Sequence, residues 1–374
     1  SMGIQASGKV DFFAASGPPL QGYGALAKEP LAVGEALLEI PLAACLVPLV
    51  LPDAPAFVDE QQKLMLRLLQ EVFSPTRSQW APYLDTLPRE FPTVPLWYSA
   101  EELRLLRGTS VDALLAGRHI AAEQDLLGIL DWAAHREPRL FPTGAGVGLP
   151  ELRWAASVVA SRAFDSVKAG VVLAPFADAL NHRGCGPHTR MRDGGDVLRF
   201  CVEDDISAGE EVFNTYGAHG NTQWLLNGGF LDLSGPFHDL LVTPADAVSA
   251  ALAHLRSAAH GDEDDVEDRI CERLSVLQRP ELLGTETFQL TSEDPLPDEL
   301  ATVLMVLCMD DDQLEEYLER AADRPLIDLV VEEPSEALLH GLYSSVLRLV
   351  DLLEGRYDTP LEEDLAALAA LERP

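Results

Sequence analysis

Basic side chains are scarce in this 374-residue chain, where 27 Lys and Arg stand against 61 Asp and Glu for a formal charge of −34. The excess is uneven, because residues 241–374 carry 32 acidic side chains against 9 basic ones, −23 of the −34. Such a surface repels phosphate backbones and disfavours nucleic-acid binding. It would attract a basic partner, although an acidic face is more often a solubility device. Cysteine is also sparse: Cys45, Cys185, Cys201, Cys271 and Cys308 are scattered, odd in number and without a CxxC pair. That excludes a disulfide framework and fits a reducing compartment, with most of the five read as small buried hydrophobes. No apolar run reaches the roughly 18 residues a membrane span needs. Ser1-Met2-Gly3 has neither a basic n-region nor an apolar h-region, so no signal peptide is expected. Ser1 ahead of Met2 looks like an expression scar, and the compartment stays open. There is no internal repeat.

What is present is apolar material for real cores, 47% of residues, in a chain long enough to suggest two domains. Short apolar runs broken by Gly and Pro over residues 20–50 read as successive strands. Residues 60–73, "EQQKLMLRLLQEVF", place Leu64, Leu68 and Val72 at helical spacing. Two or three helices follow over 100–136, and another over Glu151–Phe164. Short strands resume at Leu173–Phe176, Val197–Val202 and Glu211–Thr215. Beyond residue 240, periodic apolar helices with acidic outer faces take over at 245–260, 264–278, 297–308, 312–321 and 335–354. The fold class is therefore α+β: a β-rich body over 1–240 with a helical insertion at about 55–160, then an all-helical domain over 241–374.

Two segments invite a chemical reading. "FPTGAGVGLP" (Phe141–Pro150) fails as a phosphate loop, since no strand precedes it and Pro150 follows where a helix should open. It reads as a flexible connector. "ADALNHRGCGPHTRM" (Ala177–Met191) spaces His182, Cys185 and His188 by three residues, and Cys201 could complete a tetrahedral zinc site. No second ligand pair appears, which disfavours metal.

The most informative text is "LAPFADALNH" (Leu173–His182) with "AGEEVFNTYGAHGNTQWLLNGGF" (Ala208–Phe230). Together with "GYGALAKEPLAVGEALLEIP" (Gly22–Pro41), "SQWAPYLDTLP" (Ser78–Pro88) and "WAASVVASRAF" (Trp154–Phe164), these resemble one family in fixed order. That family is the RuBisCO large-subunit methyltransferase-like group of SET-domain protein methyltransferases. The tail "LLEGRYDTPLEEDLAALAAL" (Leu352–Leu371) extends the resemblance. It implies a SET body, a helical substrate-binding domain, and methyl transfer from S-adenosylmethionine to a protein amine, leaving S-adenosylhomocysteine. That displacement needs alignment, desolvation and an unprotonated acceptor, with no metal.

Residue by residue, the resemblance implies Tyr216 as the catalytic tyrosine. It implies Gln21, Tyr23, Arg162, Asn181, His182, Tyr216 and Phe230 around the cofactor. Arg162 would pair with the cofactor carboxylate, Asn181 with its amino end, and Phe230 would pack against adenine. Backbone carbonyls of Ser161, Arg162 and Asp178 would surround the target nitrogen. Phe164 would wall the acceptor channel and, with Ala177, favours lysine over histidine, whose branch carries a small polar residue and a Trp at these places. Gly228, where relatives often have a second tyrosine, implies a roomier pocket and leaves the methyl count open. "GAHGNTQ" (Gly217–Gln223) departs from the usual Ser-Asn-Ala-Glu and keeps only Asn221.

The expected partner is a non-histone protein docking on the acidic C-terminal domain of a monomer, with no nucleic acid and no membrane. Two alternatives stay open at this point: a histidine-directed enzyme of the same family, and a SET-fold binding module without catalysis.

Overall fold

The computed structural model describes the chain except residues 1, 17–21, 75–77, 116–117, 138–139, 141–145, 218, 235–239, 259–262, 278–286, 292, 321–333, 358 and 372–374. It divides into two compact units, residues 1–99 with 115–237, and residues 100–114 with 238–374. Residues 100–114, within the stretch expected as an insertion, group with the second unit.

The first unit holds strands β1 (Gln5–Ala6), β2 (Val10–Ser16), β3 (Gly22–Ala27) and β4 (Ala36–Pro41). Helices α1 (Glu60–Val72) and α2 (Ala81–Leu84) come next. Helices α3 (Ala100–Arg104) and α4 (Ser110–Leu115), which group with the second unit, precede α5 (Arg118–Arg136) and α6 (Leu149–Arg162) of the first. Strands β5 (Ala163–Ser166), β6 (Gly170–Leu173), β7 (Thr189–Asp193) and β8 (Val197–Val202) lead to helix α7 (Asn221–Gly228). One antiparallel sheet has the order β1-β4-β8-β7, with Leu38 opposite Phe200 and Met191 opposite the same Phe200. β2 pairs with β3, and β5 with β6, placing Phe164 opposite Val172. Period-2 patterning sets these faces. Leu38, Ile40, Leu198 and Phe200 point into a core that Leu180 and Val212 complete.

A second core joins α1 to α6 through Leu64, Leu68, Ala155 and Val158. Helix α1 is started by Asp59, whose carboxylate accepts from the Gln62 amide at 3.0 Å while Gln62 returns a bond to the Asp59 amide at 2.8 Å. This reciprocal cap satisfies donors that a helix N-terminus otherwise leaves open. The "SQWAPYLDTLP" motif, read as a loop, contains the α2 turn. Its Trp80 indole donates to the Ala44 carbonyl at 2.9 Å, and Trp154 of α6 donates to the Pro88 carbonyl at 2.8 Å. The aromatics thus pin both ends of the motif, one to the strand region and one to the helix that carries Arg162.

Three sequence expectations change. Helix α6 stops at Arg162 rather than at 164, because Ala163–Ser166 pairs with Gly170–Leu173. Glu211–Thr215 is extended but forms only isolated bridges, to Leu26, His182 and Thr189, since its neighbours belong to different elements. Of the cysteines only Cys45 is buried, whereas Cys185 and Cys271 are exposed.

The second unit is built mainly from helices α8 (Pro244–Ala258), α9 (Glu263–Leu277), α10 (Asp298–Cys308), α11 (Asp311–Arg320), α12 (Glu336–Glu354) and α13 (Leu361–Leu371). It adds to them a short antiparallel pair, β9 (Leu240–Val242) with β10 (Phe288–Leu290). Apolar faces of α8, α10 and α12 form the core through Ala250, Val303, Leu307, Leu342 and Leu349. No helix among the described residues is long and apolar enough to cross a membrane.

The most deeply buried charge among the described residues of this unit is a guanidinium. Arg273 is 2% exposed, and its guanidinium donates to the Met309 carbonyl at 2.8 and 3.2 Å, the Arg269 carbonyl at 3.1 Å and the Asp311 carboxylate at 2.8 Å. The fork ties the end of α10 to α9. Arg273→Met fills the volume but strands the Met309 carbonyl, and should destabilise the protein by roughly 2–4 kcal/mol in denaturant unfolding. A midpoint unchanged from wild type would show that the buried fork contributes nothing.

Candidate active site

Three chain segments meet in the first unit: the end of α6, the turn 174–189 and the extended run 211–217. Phe176 enters the turn with a left-handed φ of 71°, which is strained for a bulky side chain. Its ring packs edge-on against Phe12 at 5.8 Å, and this contact holds the strained turn in place. The reversal folds Ala177–Ala179 into a single 3₁₀ turn and drives Asp178 inward.

Asp178 is fully buried at its carboxylate and pairs with Arg162 at 3.1 Å. The same Arg162 Nη1 donates to the Asp178 carbonyl at 3.1 Å, and the Tyr83 hydroxyl donates to Asp178 Oδ2 at 3.2 Å. Burial raises the Asp178 carboxyl above its ordinary range, outweighing the Arg162 charge and the three hydrogen bonds that act the other way. Arg162 Nε has no partner. The guanidinium therefore keeps donors in reserve beyond those that fix it.

Asn181 donates its amide hydrogens to the Tyr23 carbonyl at 3.2 Å and to Glu211 at 2.6 Å. The group it offers a ligand is then its carbonyl oxygen. Gly24 sits against this pair, since a Cβ there would lie 2.9 Å from Asn181 Nδ2. Tyr23 is itself exposed, so its main chain rather than its ring serves the contact.

The histidines of the turn hold the run 211–217. His182 Nδ1 accepts from the Tyr216 amide at 3.0 Å, and His188 Nδ1 accepts from the Phe213 amide at 3.3 Å. His182 Nε2 lies 3.4 Å from the Asp232 carboxylate. Burial lowers both histidine pKa values, with the Asp232 charge opposing the shift at His182 and the Arg183 charge adding to it at His188. Neutral imidazoles are what this geometry needs, because a protonated Nδ1 cannot accept. The apparent ligand ladder is thus two backbone clamps, and Cys185 between them is exposed.

Between the clamps, Asn214 makes parallel bridges to His182 and to Thr189, and its amide donates to the Asn181 carbonyl at 2.8 Å. The Tyr216 hydroxyl donates to the Leu180 carbonyl at 2.8 Å. Burial pushes its pKa up, so the phenol stays protonated. Tyr216, His182, Trp224 and Phe230 form an aromatic group in which Trp224 and Phe230 stack at 5.6 Å. Gly228 does not open a void: a Cβ there would lie 2.5 Å from Phe230 Cε1, so the Phe230 ring already fills that space.

Ser161, Arg162, Phe164, Asp178 and Tyr216 line one cavity of about 330 Å³, which Asn214 and Met191 also border. Asn181, His182 and Tyr23 are linked to it through the bonds above, and Phe230 through the Tyr216 ring. Gln21 lies outside the described residues. The sequence reading missed Tyr83, Asn214, Trp224 and Asp232. Asn214 was findable, since it stands two residues before Tyr216 in an extended run and shares its face. A larger cavity of about 680 Å³, lined by Glu71, Asp85, Trp97 and Trp154 among others, contains none of the residues singled out. Convergence of polar groups, rather than size, marks the candidate site.

The sequence profile of the Rubisco LSMT substrate-binding family matches residues 265–374. N-lysine methyltransferase SETD6 of Mus musculus is 30% identical over 334 residues, covering 80% of this chain and 67% of its own length. Actin-histidine N-methyltransferase of Drosophila melanogaster is 27% identical over 361 residues, covering 88% of this chain and 64% of its own. The chain spans about two thirds of the length of these relatives. The solved structure of Rubisco LSMT bound to sinefungin and monomethyllysine shares the fold. Its TM-score is 0.72 over 98% of this chain and 81% of that one, at 20% identity.

The clamps give the site a pH sign. Both histidines are held below their ordinary value of about 6.5, so the unfolded chain takes up protons first as pH falls. Their contribution to stability is complete above about pH 6.5 and is lost as pH drops through the range below it. In denaturant unfolding between pH 7 and pH 5, the wild type should lose stability relative to a variant with both residues replaced by Asn. That difference cancels the opposing contribution of the raised Asp178 carboxyl. A difference that does not change with pH, or that moves in favour of the wild type on acidification, would contradict the clamp assignment.

Proposed function

The chain belongs to the RuBisCO large-subunit methyltransferase-like family of SET-domain proteins, and on that membership we propose that it is an S-adenosylmethionine-dependent protein N-methyltransferase with lysine as acceptor. The observation that carries this reading is the convergence of Arg162, Asp178 and Tyr216 on a single cavity. Residues 1–240 form the methyltransferase body in this reading, and 241–374 the substrate-binding region.

The residues fit the cofactor chemically. Arg162 has an unpartnered Nε beside a guanidinium already fixed by Asp178, which suits a carboxylate. Asn181, its amide hydrogens committed, presents a carbonyl oxygen to an ammonium group. One donor site and one acceptor site together suit the two charges of an amino-acid end. Tyr23 lends its main chain and Phe230 an aromatic face. The cofactor, when bound, supplies a methyl group activated by a sulfonium.

The chain's own part is positioning. Tyr216 cannot act as a base, since its proton is held by the Leu180 carbonyl and burial raises its pKa. Its hydroxyl oxygen keeps lone pairs that accept an N–H of the incoming amine and so turn the nitrogen toward the methyl. Ser161, Arg162 and Asp178 border the same cavity, although the Asp178 carbonyl is taken up by Arg162. Phe164, stacked edge-on against Phe200 at 5.9 Å, gives an apolar wall suited to a butyl stem. The similarity to the N-lysine methyltransferase SETD6 favours lysine as well. A histidine acceptor is the second reading, favoured by the actin-histidine methyltransferase relative that matches 88% of this chain. The protein substrate docks on the acidic helical region of a monomer, where −23 of the net charge resides.

Incubating the protein with methyl-labelled S-adenosylmethionine and native cell lysate should label a protein band whose modified residue is lysine. Tyr216→Phe should cut turnover by about 100-fold or more while leaving cofactor affinity within a few-fold of wild type. Labelled histidine would select the second reading. Absence of any label, with cofactor bound, would leave a non-catalytic SET-fold module.

A further inference from the structure

Asn214 carries a contradiction that its fold does not resolve. The residue is 1% exposed and its backbone is paired on both sides, donating to the Asn181 carbonyl and accepting from the Arg183 amide at 2.9 Å. Yet both side-chain atoms, Oδ1 and Nδ2, are buried without a hydrogen-bond partner. A leucine would occupy this place without that cost, because an unsatisfied buried amide is expensive and a packed methyl group is not. Buried polar groups left open in this way call for a ligand or a role. The side chain borders the same cavity as Tyr216.

We propose that Asn214 is a substrate-binding residue whose Oδ1 accepts an N–H of the acceptor amine, and this rests on the methyltransferase reading above. A primary amine has two N–H groups and one lone pair. A single acceptor leaves the lone pair free to swing, whereas two acceptors fix its direction. Tyr216 supplies the first, since its proton is spent on Leu180 and its oxygen is left to accept. Asn214 stands two residues earlier on the same extended run and supplies the second. Of the other polar side chains lining the cavity, Ser161, Arg162, Asp178 and Thr215 are bonded within the fold, and Asp165 and Arg190 lie exposed at its rim. Phe164 and Met191 offer apolar surface for the stem, so the polar contacts gather at the nitrogen.

The test uses a probe that bypasses the unidentified protein substrate. The full chain, saturated with S-adenosylhomocysteine, is titrated with n-butylamine by calorimetry at pH 8, where the amine, with pKa ~10.4, is mostly charged. Asn214→Leu should weaken binding by about 10-fold or more, through loss of the acceptor. Asn214→Asp should tighten it by about 10-fold, because a carboxylate facing an ammonium adds attraction that a mere packing role would not provide. The opposite signs keep the proposal open to refutation even if Asn214→Leu fails to fold. Unchanged affinity in Asn214→Asp, or no butylamine binding by wild-type protein that does bind S-adenosylhomocysteine, overturns the inference alone. Failure of wild type to bind S-adenosylhomocysteine overturns the methyltransferase reading and the inference with it.

Discussion

Everything at the candidate site depends on two neutral imidazoles accepting backbone hydrogens. His182 and His188 clamp the amides of Tyr216 and Phe213, so the run 211–217 is held against the turn 174–189 although it never joins a sheet. Main-chain bonds also pin this run: Val212 donates to the Ala25 carbonyl, Asn214 to the Asn181 carbonyl, and the Arg183 and His188 amides donate to the Asn214 and Phe213 carbonyls. The clamps take up the Phe213 and Tyr216 amides and so complete the register, from which a slip of one residue would turn Tyr216 away from the cavity. From that register follow the Tyr216 hydroxyl on the Leu180 carbonyl, the Asn214 bridges, and the placement of both side chains on one face. The Asp232 carboxylate near His182 Nε2 fixes which ring nitrogen is left to accept.

A second constraint meets the first from the other side. Helix α6 ends at Arg162 because the next residues pair as a strand, and this abrupt change delivers the guanidinium to the inward-turned Asp178. Phe176, with its left-handed backbone packed against Phe12, makes that inward turn possible. Tyr83, from the Trp- and Pro-rich motif far back in the chain, closes the arrangement with a bond to the same carboxylate. A buried charge pair of this kind is weak evidence for stability and better evidence for orientation, since each partner is costly unless held.

Much of this was legible in the sequence, and for physical reasons. Helical period placed α1 and the second unit's helices α8 to α12 within a residue or two, because their cores are continuous apolar stripes, while α13 was read only as a motif tail. The motif residues Arg162, Asp178 and Tyr216 were visible, and they do share a cavity. What escaped is whatever depends on pairing at a distance. The run 211–217 reads as a strand by composition, yet its neighbours each offer one bridge. The spacing of His182 and His188 admits a metal site that the missing second ligand pair already disfavours, but it does not reveal that each ring faces a backbone amide. Gly228 reads as a missing hydroxyl and an open space, yet the Phe230 ring occupies it. Tyr83 carries no local signal of its role, because its partner Asp178 lies 95 residues away in the chain.

In the proposed reading the chain supplies a reserved guanidinium edge, an amide carbonyl and an oriented phenol, and leaves the methyl chemistry to a cofactor. The most direct test is calorimetric titration of wild-type protein and Arg162→Ala with S-adenosylmethionine. The account predicts saturable one-to-one binding by wild type and affinity at least about 10-fold weaker in the variant, as expected for loss of a charge-assisted contact. No binding by wild type, or equal affinity in the two proteins, would contradict it.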